Sequence, residues 1–199
     1  EKTLKDNGFY VGYSSFLFMH AQNITIKNCS FKNNYNGHFI EFAGVKNARI
    51  ENCNMAMSGS KYVGEGSNEA IQIDNTYQQS NSPSGAPWDD TACENITISN
   101  CKIKFARGIG TNRVGKTFFK NIKIQGCTIT STNEALNMYD VLGLNVNKCT
   151  IKTTGKFKDY RSVAMYVGLD SAPKGGNTSK ANATITNNKI YGKTAGLKM

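Results

Sequence analysis

Proline is nearly absent, with three residues in 199, while tryptophan occurs once and histidine twice. Charged side chains make up 19% of the chain and hydrophobic ones 39%, both low for a compact globular domain. No apolar run approaches the roughly 18 residues that a membrane-spanning helix needs. The six cysteines contain no C-x-x-C pair, so neither a zinc ribbon nor a dithiol redox centre is indicated. Acidic side chains are scarce as well: 14 Asp and Glu against 24 Lys and Arg leave a formal charge of +10. That excess points to an acidic partner such as nucleic acid, anionic polysaccharide or an anionic cell surface. The plain alternative is that scattered lysines solvate the outside of the fold. No signal peptide is visible, and a chain opening on Glu1 reads as a mature form or an excised fragment.

What is abundant is a repeat. Six segments align: Asn23 to Phe31 (NITIKNCSF), Asn47 to Met55, Asn95 to Ile103, Asn121 to Ile129, Gly143 to Ile151 and Asn182 to Ile190. Each alternates apolar and polar residues, passes a polar turn, then places Cys or Asn two residues before another apolar side chain. Alternation with period two is the signature of a strand with one face in and one out. Cys29 to Cys53, Cys101 to Cys127 and Cys127 to Cys149 are steps of 24, 26 and 22 residues. Such steps fit an all-β, right-handed parallel β-helix solenoid of about six coils. A helical solenoid would show a 3.6-residue period, and none is present.

A second strand precedes each segment: Phe9 to Ser14, His38 to Ala43, Glu69 to Asp74, Arg107 to Asn112, Glu134 to Tyr139 and Val163 to Gly168. Aligned, the third and fifth positions form apolar columns, one running from Val11 through Ile40, Ile71, Ile109 and Leu136 to Met165. The other runs from Tyr13 through Phe42, Ile73, Thr111 and Met138 to Val167. The column of Cys29, Cys53, Cys101, Cys127 and Cys149, continued by Asn188, is expected to point inward as free thiols. Coils about 4.8 Å apart stack these side chains in parallel, which suits small apolar groups better than cross-links. Cys93 lies outside that column. Insertions are expected at Ser58 to Asn68, Asn75 to Cys93 and Leu169 to Ala181. The middle one holds Trp88 and the Asp89–Asp90 pair.

With positions three and five inward, positions two, four and six are expected to face out. Position two is then a floor of small residues at Ala70, Gly108, Ala135 and Ala164. Carboxylates, amides and aromatics flank it. Glu41, Glu69 and Asp74, with Arg107, are the candidate catalytic set for a glycosidic bond. The candidate substrate-binding residues are His38, Gln72, Asn112, Arg113, Asn137, Tyr139, Tyr166 and Trp88. Arg107 or Arg113 suits a uronate carboxylate, and His38 suits proton transfer. The alternatives are structural: His38 paired with Glu69, Glu41 and Asp74 solvated or bonded to backbone, Asp89–Asp90 as a turn, the tyrosines as surface packing. Calcium needs six to eight oxygens, and only Glu41, Glu69, Asp74 and the Asp89–Asp90 pair could gather for it, so no metal and no cofactor is expected. Nucleic acid is disfavoured, since no basic patch interleaved with aromatics is evident.

On the NITIKNCSF-type coils the chain resembles right-handed β-helix proteins of the pectin-lyase-like superfamily. GHFIEFAGVKNARIENC, NEAIQID, PWDDTACENITI and ARGIG look like segments of secreted or wall-attached β-helix proteins of Gram-positive bacteria. The resemblance implies polysaccharide lyases, glycoside hydrolases, phage tailspikes or non-catalytic adhesins that bind acidic glycans. The calcium-binding aspartate cluster of pectate lyases and the paired aspartates of polygalacturonases are not matched. Residues 1–199 are therefore expected to form one β-helix domain of a longer secreted or cell-surface protein, or one whose end another chain covers. It is expected to bind an acidic polysaccharide on its first-strand face, with a lyase or an inverting hydrolase as the alternative.

Overall fold

The computed structural model describes residues 14–32, 34, 37–57, 68–76, 87–155, 163–169, 182–193 and 195–199. Its described residues contain strands and no helix, and every strand pair is parallel. Three sheets stack along one axis, one of seven strands and two of six. The first runs through Phe16–Met19, Ile40–Ala43, Glu69–Asp74, Arg107–Asn112, Leu136–Tyr139, Val163–Gly168 and Ala195–Lys198. The second and third are supplied by the repeat, each segment contributing one strand to either side of its central turn. Phe119–Gln125 lies in the second sheet, for example, and Thr128–Ser131 in the third. The fold is a parallel β-helix.

Two corners in each of the five coils from Asn23 to Lys148 are built from residues in the left-handed region, which costs an ordinary side chain about 1–2 kcal/mol. Asparagine tolerates that region and occupies it repeatedly. At the first corner stand Asn23, Asn47, Asn95 and Asn121, with φ of 59°, 56°, 57° and 53°. Their side chains form a ladder: Asn47 Nδ2 donates to Asn23 Oδ1 (3.3 Å), Asn95 to Asn47 (3.0 Å) and Asn121 to Asn95 (2.9 Å). The column continues in Gly143, whose φ is 82° and where a Cβ would meet Asn121 Oδ1 at 2.9 Å. The second corner repeats the device with Asn28, Asn52 and Asn100.

Just past that second corner sit the cysteines. All six are free, and Cys53, Cys101, Cys127 and Cys149 are buried. Each thiol of the column reaches back to the carbonyl two residues earlier, as Cys101 Sγ does to Ser99 O at 3.3 Å and Cys149 Sγ to Asn147 O at 3.3 Å. A small polarisable donor at this position satisfies the strand-end carbonyl from inside the coil. Asn188 closes the column, accepting from Cys149 N at 2.7 Å. Cys93 is wholly buried, accepts Val45 N at 3.2 Å, and is pushed up to about 12 by burial.

The first coil differs from expectation. Most of Phe9 to Ser14, including Val11 and Tyr13, lies outside the described residues, and the strand that pairs with Ile40–Ala43 is Phe16–Met19. The inward columns therefore begin at Phe16 and Phe18. The 24-residue step from Cys29 to Cys53, carried back from Ile40, lands on Phe16. Aromatic alternation in both segments hid that register. A seventh first-sheet strand, Ala195–Lys198, pairs with Val163–Gly168 and extends the solenoid beyond the six coils counted. The expected insertions at Ser58 to Asn68 and Leu169 to Ala181, and the part of Asn75 to Cys93 before Pro87, fall outside the described residues, apart from Asn68, Leu169, Asn75 and Thr76.

Asn95 both donates and accepts in its ladder at a left-handed φ. Asn95→Ala is expected to cost about 2–3 kcal/mol in chemical denaturation, and Asn95→Gly distinctly less, because glycine removes the backbone strain but not the lost hydrogen bonds.

Candidate functional site

The first-sheet strands begin at a bend, and their first position forms a charged column across four coils. His38 Nδ1 donates to the Glu69 carbonyl (2.8 Å) and lies 3.9 Å from Glu69 Oε2. Glu69 Oε1 accepts from Arg107 Nη1 at 3.2 Å, and Arg107 Nε lies 3.2 Å from Glu134 Oε2. Gly110 makes this arrangement fit, since a Cβ there would sit 2.7 Å from Glu69 Cγ. Alternating signs on successive coils offset one another locally. The expected pairing of His38 with Glu69 is present.

Position two does not face out. Phe39, Ala70, Ala135 and Ala164 are all 0% exposed, and Phe39 packs on Phe105 with ring centroids 5.0 Å apart. A Cβ on Gly108 would meet Ala135 O at 2.2 Å and Ile129 Cγ2 at 2.4 Å. The residues are small because the third sheet presses against them from inside. They form no groove floor, and this corrects the alternation rule, which fails at the bend that opens each strand.

A cleft exists nonetheless, of about 500 Å3, and it has another origin. Between Arg107–Asn112 and Leu136–Tyr139 the described pairing covers only Ile109 with Leu136 and Gly110 with Asn137. At Thr111 the side chain replaces the ladder. Its Oγ1 donates to Tyr139 O at 2.8 Å and accepts from Tyr139 N at 2.7 Å. A hydroxyl interposed between two backbones parts the coils, and the opening is lined by Gln72, Asn112, Asn137 and Tyr139 together with Glu69 and Arg107. Arg113 closes one end, donating from Nε to Asp140 Oδ2 (2.7 Å) and lying 4.6 Å over the Phe118 ring. Tyr166 stacks on Tyr139 with centroids 4.8 Å apart, so two tilted rings form an aromatic step on the adjoining coils.

Seven of the expected site residues thus meet at the cleft: Glu69, Gln72, Arg107, Asn112, Arg113, Asn137 and Tyr139. Asn68, Thr111 and Asp140 also line it and were not anticipated. Thr111 sits in an apolar column, and a lone polar residue there was the available signal. Asp74 is not offered to a ligand: it is 0% exposed, and Gln72 Nε2 donates to its Oδ2 at 2.6 Å. Glu41 lies outside the cleft and accepts from Ser14 Oγ at 2.5 Å. His38 is absent from the cleft lining as well, occupied instead with Glu69.

Trp88 stands elsewhere. It is 52% exposed on the segment whose Pro87 carbonyl accepts from His20 Nε2 (2.9 Å), and it does not join the cleft. The Asp89–Asp90 pair acts as an anchor for turns. Asp89 accepts from Thr76 Oγ1 (2.7 Å) and Thr91 Oγ1 (2.7 Å), while Asp90 accepts from Lys116 N (2.8 Å), Thr117 N (3.0 Å) and Asn75 Nδ2. The Thr91 hydroxyl first, then that of Thr76, holds the Asp89 carboxyl at about 2, below the ordinary 3.8. Among the described residues no cluster of three or more His, Cys, Asp or Glu could hold a metal ion. Nor is any helix among them long and apolar enough to cross a membrane.

No family model matches the chain. The plasmin and fibronectin-binding protein A of Streptococcus pneumoniae is 34% identical over 94 residues, spanning 43% of this chain and 12% of that protein. The crystal structure of PfbA, a surface adhesin of S. pneumoniae, matches 92% of this chain and 44% of its own, with TM-score 0.62 and 24% identity. A second structure of the same pneumococcal surface protein and adhesin covers 85% of this chain and 44% of its own, with TM-score 0.60 and 27% identity. The β-helix is thereby confirmed from outside the sequence. This chain spans less than half the length of these relatives. Their surface location agrees with the secreted or cell-surface placement expected above.

Thr111→Val keeps the shape and removes the hydroxyl that serves Tyr139 N. It is expected to destabilise the fold by about 1–3 kcal/mol in denaturant titration, with Thr111→Ser near wild type. Asp89→Asn is expected to lower stability at neutral pH. Because the folded carboxyl titrates below its ordinary value, the wild-type advantage holds above pH 3.8 and disappears as pH falls through about 2, which thermal unfolding across pH would show.

Proposed function

We propose that this chain is a ligand-binding solenoid of a cell-surface adhesin, with a saccharide held in the first-sheet cleft. The observation that carries this reading is the convergence of the Gln72, Asn112 and Asn137 amides on a cleft of about 500 Å3 beside the Tyr139–Tyr166 step. Planar amides and guanidiniums bind sugar hydroxyls, and aromatic faces cover the C–H face of a ring. Likeness to a pneumococcal surface adhesin supports the adhesin role, and the resemblance of the coil motifs to pectin-lyase-like proteins supports a carbohydrate ligand. The same partial coverage of the relatives supports residues 1–199 as one β-helix domain within a longer protein.

Charge decides the kind of saccharide. Among the cleft residues Glu69 and Asp140 offset Arg107 and Arg113, so this space carries no net positive charge. A neutral or mixed glycan meets it without displacing a resident carboxylate. The acidic polysaccharide expected for this face would have to compete with Glu69 or Asp140 for a guanidinium. Catalysis by Glu41, Glu69 and Asp74 with Arg107 has less support, since Asp74 is fully buried and Glu41 stands apart. A protein ligand of the kind named for the relative, plasmin or fibronectin, is the second reading, favoured by the 34% identity.

An array of neutral, amino and uronate glycans, with fibronectin and plasmin alongside, tests the choice. Tyr139→Ala and Asn137→Ala are each expected to weaken glycan binding by about tenfold, or about 1.4 kcal/mol. A chain that captures fibronectin or plasmin, ignores every glycan and is indifferent to both substitutions would replace this reading with the second.

A further inference from the structure

The positive charge that the first sheet lacks is found on the third. Its described strands are Ser30–Lys32, Asn54–Ala56, Lys102–Phe105, Thr128–Ser131, Thr150–Thr153 and Lys189–Tyr191. They carry five exposed lysines, Lys32, Lys102, Lys104, Lys152 and Lys189, and no Asp or Glu. The other two sheets mix signs. Glu41 and Glu69 lie on the first, and on the second Glu94 pairs in register with both Lys46 and Lys120 while Glu51 binds Arg49. None of the five third-sheet lysines takes part in an ion pair among the described residues.

Register turns these lysines into a ruler. Lys32 pairs with Ala56, Ala56 with Lys104, Lys104 with Thr130 and Thr130 with Lys152. One column therefore presents an ammonium on every second coil, roughly 10 Å apart at about 4.8 Å per coil. The neighbouring column places Lys102 and Lys189 three coils apart, with Thr128 and Thr150 between them. Ala56 and Thr130 stand between the charges of the first column and Thr128 and Thr150 between those of the second, while Tyr191, 52% exposed, ends the first. The separation exceeds the Debye length of about 8 Å at physiological salt, so the ammoniums repel one another little and each meets its own charge along one polymer.

We propose that this third-sheet face binds a linear acidic polysaccharide, uronate-rich or sulfated, laid along the solenoid axis across the strands. Three features select that class. The face is a row of strands with side chains at fixed intervals, suited to a long ligand. Its charges are spaced on the scale of a disaccharide, whereas duplex nucleic acid carries one phosphate charge per about 1.7 Å and calls for denser cations. The hydroxyls and the terminal ring answer the neutral parts of a sugar chain. This surface is separate from the first-sheet cleft and does not depend on a saccharide binding there.

Binding of heparin and of polygalacturonate to the whole chain, measured against salt, tests the assignment. Lys32→Gln/Lys104→Gln/Lys152→Gln is expected to lower affinity by about tenfold or more and to flatten the log–log salt slope by roughly two. The control Lys27→Gln/Lys120→Gln/Lys123→Gln removes the same charge from the second sheet and is expected to change affinity far less. Tyr139→Ala, which probes the cleft, is expected to leave polyanion binding intact. All six lysines are exposed, so equal melting temperatures are expected to accompany these results. Equal loss in both triple variants would reduce the effect to net charge and overturn the proposal. So would no binding at physiological salt, or DNA binding at least as tight that is lost through the same three substitutions.

Discussion

Everything in this molecule depends on coils stacking in register, and the asparagine ladders enforce that register. A left-handed corner is expensive for most side chains, yet five successive coils use two of them to turn the strand from sheet to sheet. Asparagine lowers that cost by tolerating the conformation, and its amide then donates to the identical residue of the preceding coil. A slip of one residue would break both corners of a coil at once. The apolar columns supply most of the stabilisation, at about 1.5–3 kcal/mol for each fully buried isoleucine. They exclude a slip of one residue, which would turn the apolar set outward, but not a slip of one coil position against another, because Ile, Leu and Met follow one another along the same column.

Against such regularity the departures become informative. The cleft opens where the Thr111 hydroxyl takes the place of the backbone ladder, and the buried Arg113–Asp140 pair stands at its edge. The other surfaces keep the repeat, and their properties follow from composition along a column. Mixed signs make the second sheet an ordinary solvated face. A run of lysine, threonine and alanine makes the third uniformly cationic. One backbone thus carries three faces of different chemistry, each set by the outward residues of one strand.

Much of this was legible before any coordinates. Alternation and the evenly spaced cysteines identify strands, coil length and the inward thiols, because every coil must satisfy the same geometry at the same place. The grouping of Glu69, Arg107, Asn112, Asn137 and Tyr139 follows as well, since residues one coil apart are neighbours by construction. Local exceptions to the repeat were less visible. The bend at the head of each first-sheet strand turns position two inward, which strict alternation does not foresee, and Asp74 is drawn into full burial beside Gln72. Thr111, read as one more core residue, creates the opening instead. At the first coil two aromatic-rich segments satisfy the same alternation, and only Phe16–Met19 preserves the coil step.

The asparagine columns also define how the molecule would age. Spontaneous deamidation turns an amide into a carboxylate, deleting a donor and adding a negative charge. At Asn95 the new oxygen would face Asn47 Oδ1, where an N–H now points. Attraction becomes repulsion at a corner that its neighbours reproduce a few ångströms away. Chemical wear at one such amide would therefore loosen the junction between two coils and leave the remaining stack intact, so that damage to this solenoid accumulates as discrete breaks along its length.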